Sequence, residues 1–324
     1  MKNIISAVMM AFLLVACAKP AETELKVPSP EDVVMYQVNP RNYAPENSFN
    51  AVASHLDSIQ TMGVNVLWFM PIYEIGELKS VNSPYSIRDY KSVNPEFGTL
   101  EDFKTLVAES HKRGMIVIID WVANHTSPDA KWVTGAPAAW YERDADGNTT
   151  FTADWSDTAN LNYENEDMCA EMEKSMRFWM ERGIDGFRCD MACEIPLEFW
   201  QKAIAGLRAD YPGMYMLAEG EEPLLHSQCD FDASYSWELH HMMNAIARGE
   251  KNIPELLEYL AKDAEQYLND IFAKVGALPE NSQEAYEIYQ SIDYALITKE
   301  DLTVMDTANS FFEECVMKRD FLQE

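Results

Sequence analysis

Three acids close three apolar runs in this chain. Asp120 ends MIVIID, Asp190 ends IDGFRCD and Glu219 ends MYMLAE. One such acid is common, but three on successive runs call for a reason. Arg188 stands two residues before Asp190, so on a strand both side chains face the same way. A guanidinium beside a carboxylate favours the ionised form and lowers its pKa. An anion is what a carboxylate nucleophile has to be. Glu219 closes an apolar strand instead, where desolvation would raise its pKa and suit it to general acid catalysis. Two carboxyl groups with pKa values pushed apart, on opposite sides of one bond, are the means of glycoside hydrolysis. A separation of about 5 Å goes with retention of configuration. The same spacing also fits a structural Arg188–Asp190 ion pair, and spacing alone does not choose.

The elements that must position these acids alternate strand and helix. Residues 33–38, 64–71, 115–120, 184–190, 214–219 and 231–237 read as strands. Residues 48–61, 100–113, 165–182, 196–209 and 238–248 read as amphipathic helices. Continuous apolar strands separated by helices imply a parallel sheet covered on both faces. With no glycine-rich phosphate loop, the pattern predicts an α/β fold, a TIM (β/α)8-type barrel. It is incomplete, at about six β-α units over residues 31–252. Residues 126–163, rich in Asp, Asn, Thr, Gly and Pro, read as a small subdomain inserted after strand three. In parallel barrels, catalytic groups sit at the C-terminal ends of strands, where Asp120, Asp190 and Glu219 fall.

Composition narrows the partners. A formal charge of −29 argues against nucleic acid, whose phosphates would be repelled. After Cys17, five cysteines remain, at 169, 189, 193, 229 and 315. Their odd number and wide spacing predict buried free thiols rather than a disulfide scaffold or a zinc site. The N-terminus carries Lys2, an apolar run from Ile4 to Val15, and Leu14-Val15-Ala16-Cys17. The run is too short to span a bilayer and reads as a signal peptide. Its end resembles the lipobox of bacterial lipoproteins. That implies a signal peptide over 1–16, acylation of Cys17, and a lipid anchor in the bacterial cell envelope. Residues 17–30 then read as a tether.

Further motifs join the three acids. Asp120-Trp-Val-Ala-Asn124-His125, Gly186-Phe187-Arg188-Cys189-Asp190, Ala218-Glu219, Tyr36-Gln37 and the loop Ser83–Tyr90 occur in order. Together they resemble glycoside hydrolase family 13, the α-amylase family, over roughly residues 30–250. The resemblance implies that Asp190 is the nucleophile and Glu219 the acid/base. It implies that Arg188 holds Asp190, with Asp120 orienting Arg188 from behind. His125, Tyr85 and Asp89 would contact the sugar, Tyr85 by stacking. Asn124 stands where many members bind a structural calcium, and no other cofactor is implied. The substrate would be an α-glucan or maltooligosaccharide.

Two departures mark this chain. Cys193-Glu194 occupies the place of a Lys-His pair usual in endo-acting members, which implies short α-glucans. The family's fourth motif, Asn-His-Asp, has no match: no His-Asp pair occurs anywhere. Residues 253–324 instead read as a largely helical tail. Three readings stay open: an α-glucan hydrolase, a glycan-binding lipoprotein without turnover, and an inactive fragment. Oligomeric state is not legible.

Overall fold

Six strands, four of them buried throughout, pair side by side into one curled parallel sheet. The computed structural model describes residues 25–263. The signal peptide, Cys17, most of the tether, Cys315 and residues 264–324 of the tail lie outside the described residues. Of the tail, 253–263 is helical. Among the described residues, no helix is long and apolar enough to cross a membrane.

The strands are β1 (Met35–Val38), β2 (Val66–Phe69), β3 (Tyr73–Ile75), β4 (Ile87–Val93) and β5 (Ile116–Val122). They continue as β6 (His125–Thr126), β7 (Ala159–Asn160), β8 (Gly186–Asp190), β9 (Tyr215–Ala218) and β10 (Ala233–Ser234). The main sheet runs β1-β2-β5-β8-β9-β10, all parallel. Helices Ser48–Thr61, Leu100–His111, Glu166–Met180 and Leu197–Arg208 connect its strands. Among the described residues this is a part of a barrel with six parallel strands, as expected.

The period of two sorts the sheet's side chains. Leu67, Phe69, Val117, Ile119, Trp121, Phe187, Cys189 and Met216 point outward and join the larger core, with helix residues such as Phe49, Leu56, Phe103 and Trp179. Val66, Trp68, Ile116, Ile118, Tyr215 and Leu217 point inward and form a second core, against which Leu25, Val27, Val33 and Met35 pack. Asp120, Arg188, Asp190 and Glu219 fall on the inward parity, one or two steps nearer the strand ends. Local chemistry fixes the helices. Thr99 and Asp102 form a reciprocal capping box at the start of Leu100–His111.

Two expectations are corrected. The stretch read as a loop at Ser83–Tyr90 runs into β4, which pairs antiparallel with β3. Its register shifts twice and its outer face is polar, so no clean alternation betrays it. The sixth strand shrinks from 231–237 to Ala233–Ser234, and Trp237 opens the following helix. Asp230 adopts φ 64°, and the Asp232 carboxylate accepts from Met216 N at 2.7 Å, so side chains take over from the ladder there. At the start of the expected insert, β6 pairs antiparallel with β7.

Candidate active site

Arg188 is the centre of the site. It lies on β8, is 3% exposed, and spreads its guanidinium over three acids. Nη1 donates to Asp120 Oδ1 at 2.8 Å and to Asp190 Oδ1 at 2.9 Å. Nη2 lies 2.6 Å from Glu219 Oε1. Nε donates to Tyr235 Oη at 3.1 Å, and the cation also sits 5.1 Å from the Trp68 ring centroid. The planar fork is what lets one residue reach four partners. It holds Asp190 and Glu219, from neighbouring strands, on adjacent nitrogens.

Charge balance overturns one expectation. Arg188 does favour ionised Asp190, but burial outweighs it and Asp120's charge adds to burial. Asp190 is pushed up to about 8. Asp120, wholly buried, rises to about 6 by desolvation, against the pull of Arg188. One cation among three carboxylates is not enough in a low dielectric, so the cluster retains a proton. The apolar setting expected for Glu219 is also corrected. Its side chain is 26% exposed, and Oε2 accepts from Met191 N at 2.8 Å. Met191 reaches that carboxylate because it adopts a left-handed conformation, φ 49°, directly after Asp190. No sequence signal marks this turn.

The other expected residues divide into two groups. Tyr85 joins the acids: its hydroxyl donates to Asp120 Oδ2 at 3.2 Å, and burial pushes its pKa well up. His125 is 2% exposed, and burial pulls it down to about 4, so it is neutral at pH 7. Asn124 Nδ2 donates to His125 Nδ1 at 3.1 Å, which leaves the ring proton on Nε2. Tyr85, His125, Asp190 and Glu219 line one cleft of 620 Å³ with Trp155, Asp157, Cys193 and Trp237.

Asp89 and Asn124 are not brought to this cleft. Asp89 pairs with Lys131 and accepts from Lys91 N at 2.9 Å, on β4. Asn124 also donates to Thr152 Oγ1 at 3.1 Å, which in turn meets Asn160 Oδ1. Calcium takes six to eight oxygens, with carboxylates among them. The network does reach one carboxylate: Asn160 Nδ2 donates to Glu142 Oε2 at 3.4 Å. Among the described residues, no group of three or more His, Cys, Asp or Glu is placed to hold a metal ion. Cys193 departs from the expected buried thiol and is exposed. Sequence reasoning also missed Tyr235, Trp155 and Trp237.

Gly186 sets the spacing of the two strands that carry Asp190 and Glu219. A Cβ at 186 would lie 1.8 Å from Tyr215 O and 2.8 Å from Tyr215 N, on β9. Gly186→Ala must therefore part β8 from β9. The expected result is a loss of about 1–3 kcal/mol or more in a melting experiment. Misplacement of about 1 Å would also lower the rate about 100-fold. A variant that melts with the parent would show that the backbones are not locked here.

Comparison with known proteins agrees with this geometry. The sequence profile described as "Alpha amylase, catalytic domain" matches residues 46–155 and 137–293. The chain belongs to the α-amylase family. Its family match runs past residue 252, where the barrel was expected to give way to the tail. A trehalose-6-phosphate hydrolase of Bacillus subtilis is 33% identical over 195 residues, covering 49% of this chain and 34% of the relative. An α-amylase structure from Lactobacillus plantarum aligns with a TM-score of 0.65 at 32% identity, over 78% of this chain and 61% of that one. A maltogenic α-amylase from Thermotoga neapolitana aligns with a TM-score of 0.68 at 30% identity, over 73% and 57%. The chain thus spans about a third to a half of the length of the curated relatives it matches. The relatives named here are hydrolases and amylases, and enzymes of the α-amylase family need no organic cofactor.

Proposed function

We propose that this chain supplies the catalytic face of a retaining α-glycoside hydrolase acting on α-glucans or maltooligosaccharides. We place it in a bacterial envelope, held by a lipid on Cys17. The observation that carries the reading is Arg188 holding Asp190 and Glu219 on adjacent nitrogens of one guanidinium. In this reading, an Asp190 oxygen attacks the anomeric carbon as the glycosidic C–O bond breaks. Glu219 gives its proton to the departing oxygen. A water then attacks the same carbon, Glu219 takes its proton, and the bond to Asp190 breaks. Neutral His125 donates from Nε2 to a hydroxyl of the reacting sugar.

One sequence feature favours a second reading, a glycan-binding lipoprotein without turnover. The chain has no His-Asp pair, so the family's third carboxylate is not supplied by that motif. Losing one transition-state contact costs about 3–4 kcal/mol. The test is incubation of the protein lacking residues 1–17 with maltoheptaose, followed by NMR of the anomeric protons. Shorter sugars that first appear as the α-anomer are expected. The β-anomer would remove the retaining mechanism. Intact maltoheptaose that nonetheless binds would leave the second reading. For the anchor, labelling with radioactive palmitate should be lost in Cys17→Ser, and label that persists would rule Cys17 out.

A further inference from the structure

A neutral imidazole has one proton for two nitrogens, and the nitrogen that holds it decides what the ring can donate. His125 lines the cleft beside Asp190 and Glu219, and burial pulls its pKa down to about 4, so the ring is neutral in use. Asn124 meets Nδ1, and Nε2 is the nitrogen it leaves open. A proton on Nε2 makes that atom a donor, and a proton on Nδ1 makes it an acceptor. The ring also hydrogen-bonds the backbone of Tyr85, a contact that favours a proton on it.

Behind Nδ1 runs a chain of four side chains. Asn124 Nδ2 donates to His125 Nδ1 at 3.1 Å and to Thr152 Oγ1 at 3.1 Å. Thr152 Oγ1 donates to Asn160 Oδ1 at 3.1 Å. Asn160 Nδ2 donates to Glu142 Oε2 at 3.4 Å, the longest link. Thr150 Oγ1 donates to the same Glu142 oxygen at 3.0 Å and steadies it. Backbone pairing holds these groups together. Asn160 stands opposite His125 in the β6–β7 ladder. Glu142 N donates to Asn160 O at 3.1 Å, Asn160 N to Thr150 O at 3.0 Å, and Thr150 N to Glu142 O at 3.1 Å. Asn124, Glu142, Thr150 and Asn160 line a separate cavity of 1140 Å³, between the inserted subdomain and the helices Glu166–Met180 and Leu197–Arg208. Glu142 is exposed there, away from the cleft.

The direction of every link follows from the one end that cannot be reversed. Amides and hydroxyls both donate and accept, so the middle of the chain could run either way. An ionised carboxylate only accepts. Glu142 therefore draws the NH2 of Asn160, which turns the Asn160 oxygen to Thr152. The Thr152 proton goes to that oxygen, so its lone pair faces Asn124. Asn124 then presents NH2, not oxygen, to both Thr152 and His125. Nδ1 must accept, and the ring proton stays on Nε2. Bonds that all point one way also polarise one another.

We propose that Glu142 is a positioning residue for His125: acting through Asn160, Thr152 and Asn124, a carboxylate outside the cleft decides which imidazole nitrogen donates inside it. This rests on the reading of the cleft as a glycosidase site with His125 on the reacting sugar. The inserted subdomain then takes part in the chemistry without touching sugar.

The test is nitrogen NMR of the full chain with isotopically labelled histidine, beside melting curves and maltoheptaose kinetics. Loss of its signals in His125→Gln assigns the ring. In the parent, Nε2 should give the protonated resonance and Nδ1 the bare one. Glu142→Gln keeps the shape but lets the end of the chain donate, so the two resonances should move toward each other as both tautomers fill. Its kcat/KM should fall about tenfold, the scale of one misdirected hydrogen bond, with the melting temperature unchanged. Thr152→Val should mix the tautomers in the same way. Adding Asn160→Asp to Glu142→Gln puts an acceptor-only group one link nearer and should restore the tautomer and most of the rate. Tautomers unchanged in both Glu142→Gln and Thr152→Val would overturn the proposal, as would a parent ring protonated on Nδ1. So would mixed tautomers with unchanged kcat/KM, or a loss of rate that Asn160→Asp does not reverse. If the parent turns over no maltoheptaose, the hydrolase reading fails by itself, and the resonances still decide whether Glu142 sets the ring.

Discussion

Asp190→Asn is expected to abolish sugar turnover and at the same time make the protein harder to melt above neutral pH. An amide cannot form the glycosyl ester, so kcat should fall about 10⁴-fold or more, as when a nucleophile is removed from a preorganised site. The stability gain follows from burial. In the unfolded chain an aspartate titrates near 3.8; here Asp190 is pushed up to about 8. Between those values the folded state binds more protons than the unfolded state, so the parent loses stability as pH rises through that window. Asparagine has no such titration and keeps an oxygen for Arg188. Its advantage should therefore be small near pH 4 and grow toward pH 8, at about 2–4 °C per kcal/mol. Paired melting curves at pH 5 and pH 8, beside a maltoheptaose assay, check both halves. A variant that melts lower than the parent at pH 8 would mean that the Asp190 charge is a net stabiliser, contrary to this account.

Arg188→Met is expected to damage the fold more than any other single change at the site. The side chain is 4% exposed and faces Asp120, Asp190 and Glu219 within 2.6–2.9 Å. Methionine fills much of the volume but leaves buried acids with no counter-charge. Removing one partner of a buried pair costs about 3–5 kcal/mol, a large share of the roughly 5–15 kcal/mol that holds a domain together. At pH 7 the melting temperature should drop by roughly 10 °C. Acid should restore part of it, because protonated carboxyl groups need no cation. Arg188→Lys should fall between, since one ammonium cannot span three carboxylates and Tyr235. The stronger check is the combination of Arg188→Met with Asp120→Asn and Asp190→Asn. If buried charge is the cause, it melts above Arg188→Met alone. If it melts lower still, the guanidinium's hydrogen bonds matter more than its charge.

Much of the scaffold was legible because its strands are continuous apolar runs and its acids close them. Asp120, Arg188, Asp190, Glu219, Tyr85 and His125 come together as the motifs implied. What escaped was whatever depends on neighbours from other strands. The raised pKa of Asp190 escaped because Arg188 is close in sequence, whereas the burial that raises it most, and the charge of Asp120 that adds to it, arise only when the sheet forms. Asp89 sits in the right motif, but Lys131, from the inserted subdomain, claims it. The β3–β4 hairpin was hidden by its bulges and polar face. Trp237 read as the end of a strand; once Asp230 and Asp232 end that strand early, the same residue opens a helix and enters the cleft. Cys193 looked like one more buried thiol, and only the turn after Met191 exposes it.

The alternation of side chains across the sheet also divides how this protein can be altered. Outward positions such as Leu67, Val117, Ile119, Phe187 and Met216 touch helices, while Asp120, Arg188 and Asp190 on the same strands touch only the inner face. A library that varies the outward set while conserving volume explores robustness with little effect on chemistry. One that varies the inward set explores chemistry on a fixed frame. The two can be screened separately, one by heat and one by substrate. Their gains should combine close to additively wherever the chosen residues share no contact. Single-residue insertions within a strand lie outside both searches: each would exchange the two faces beyond it and send a carboxylate into the helix layer.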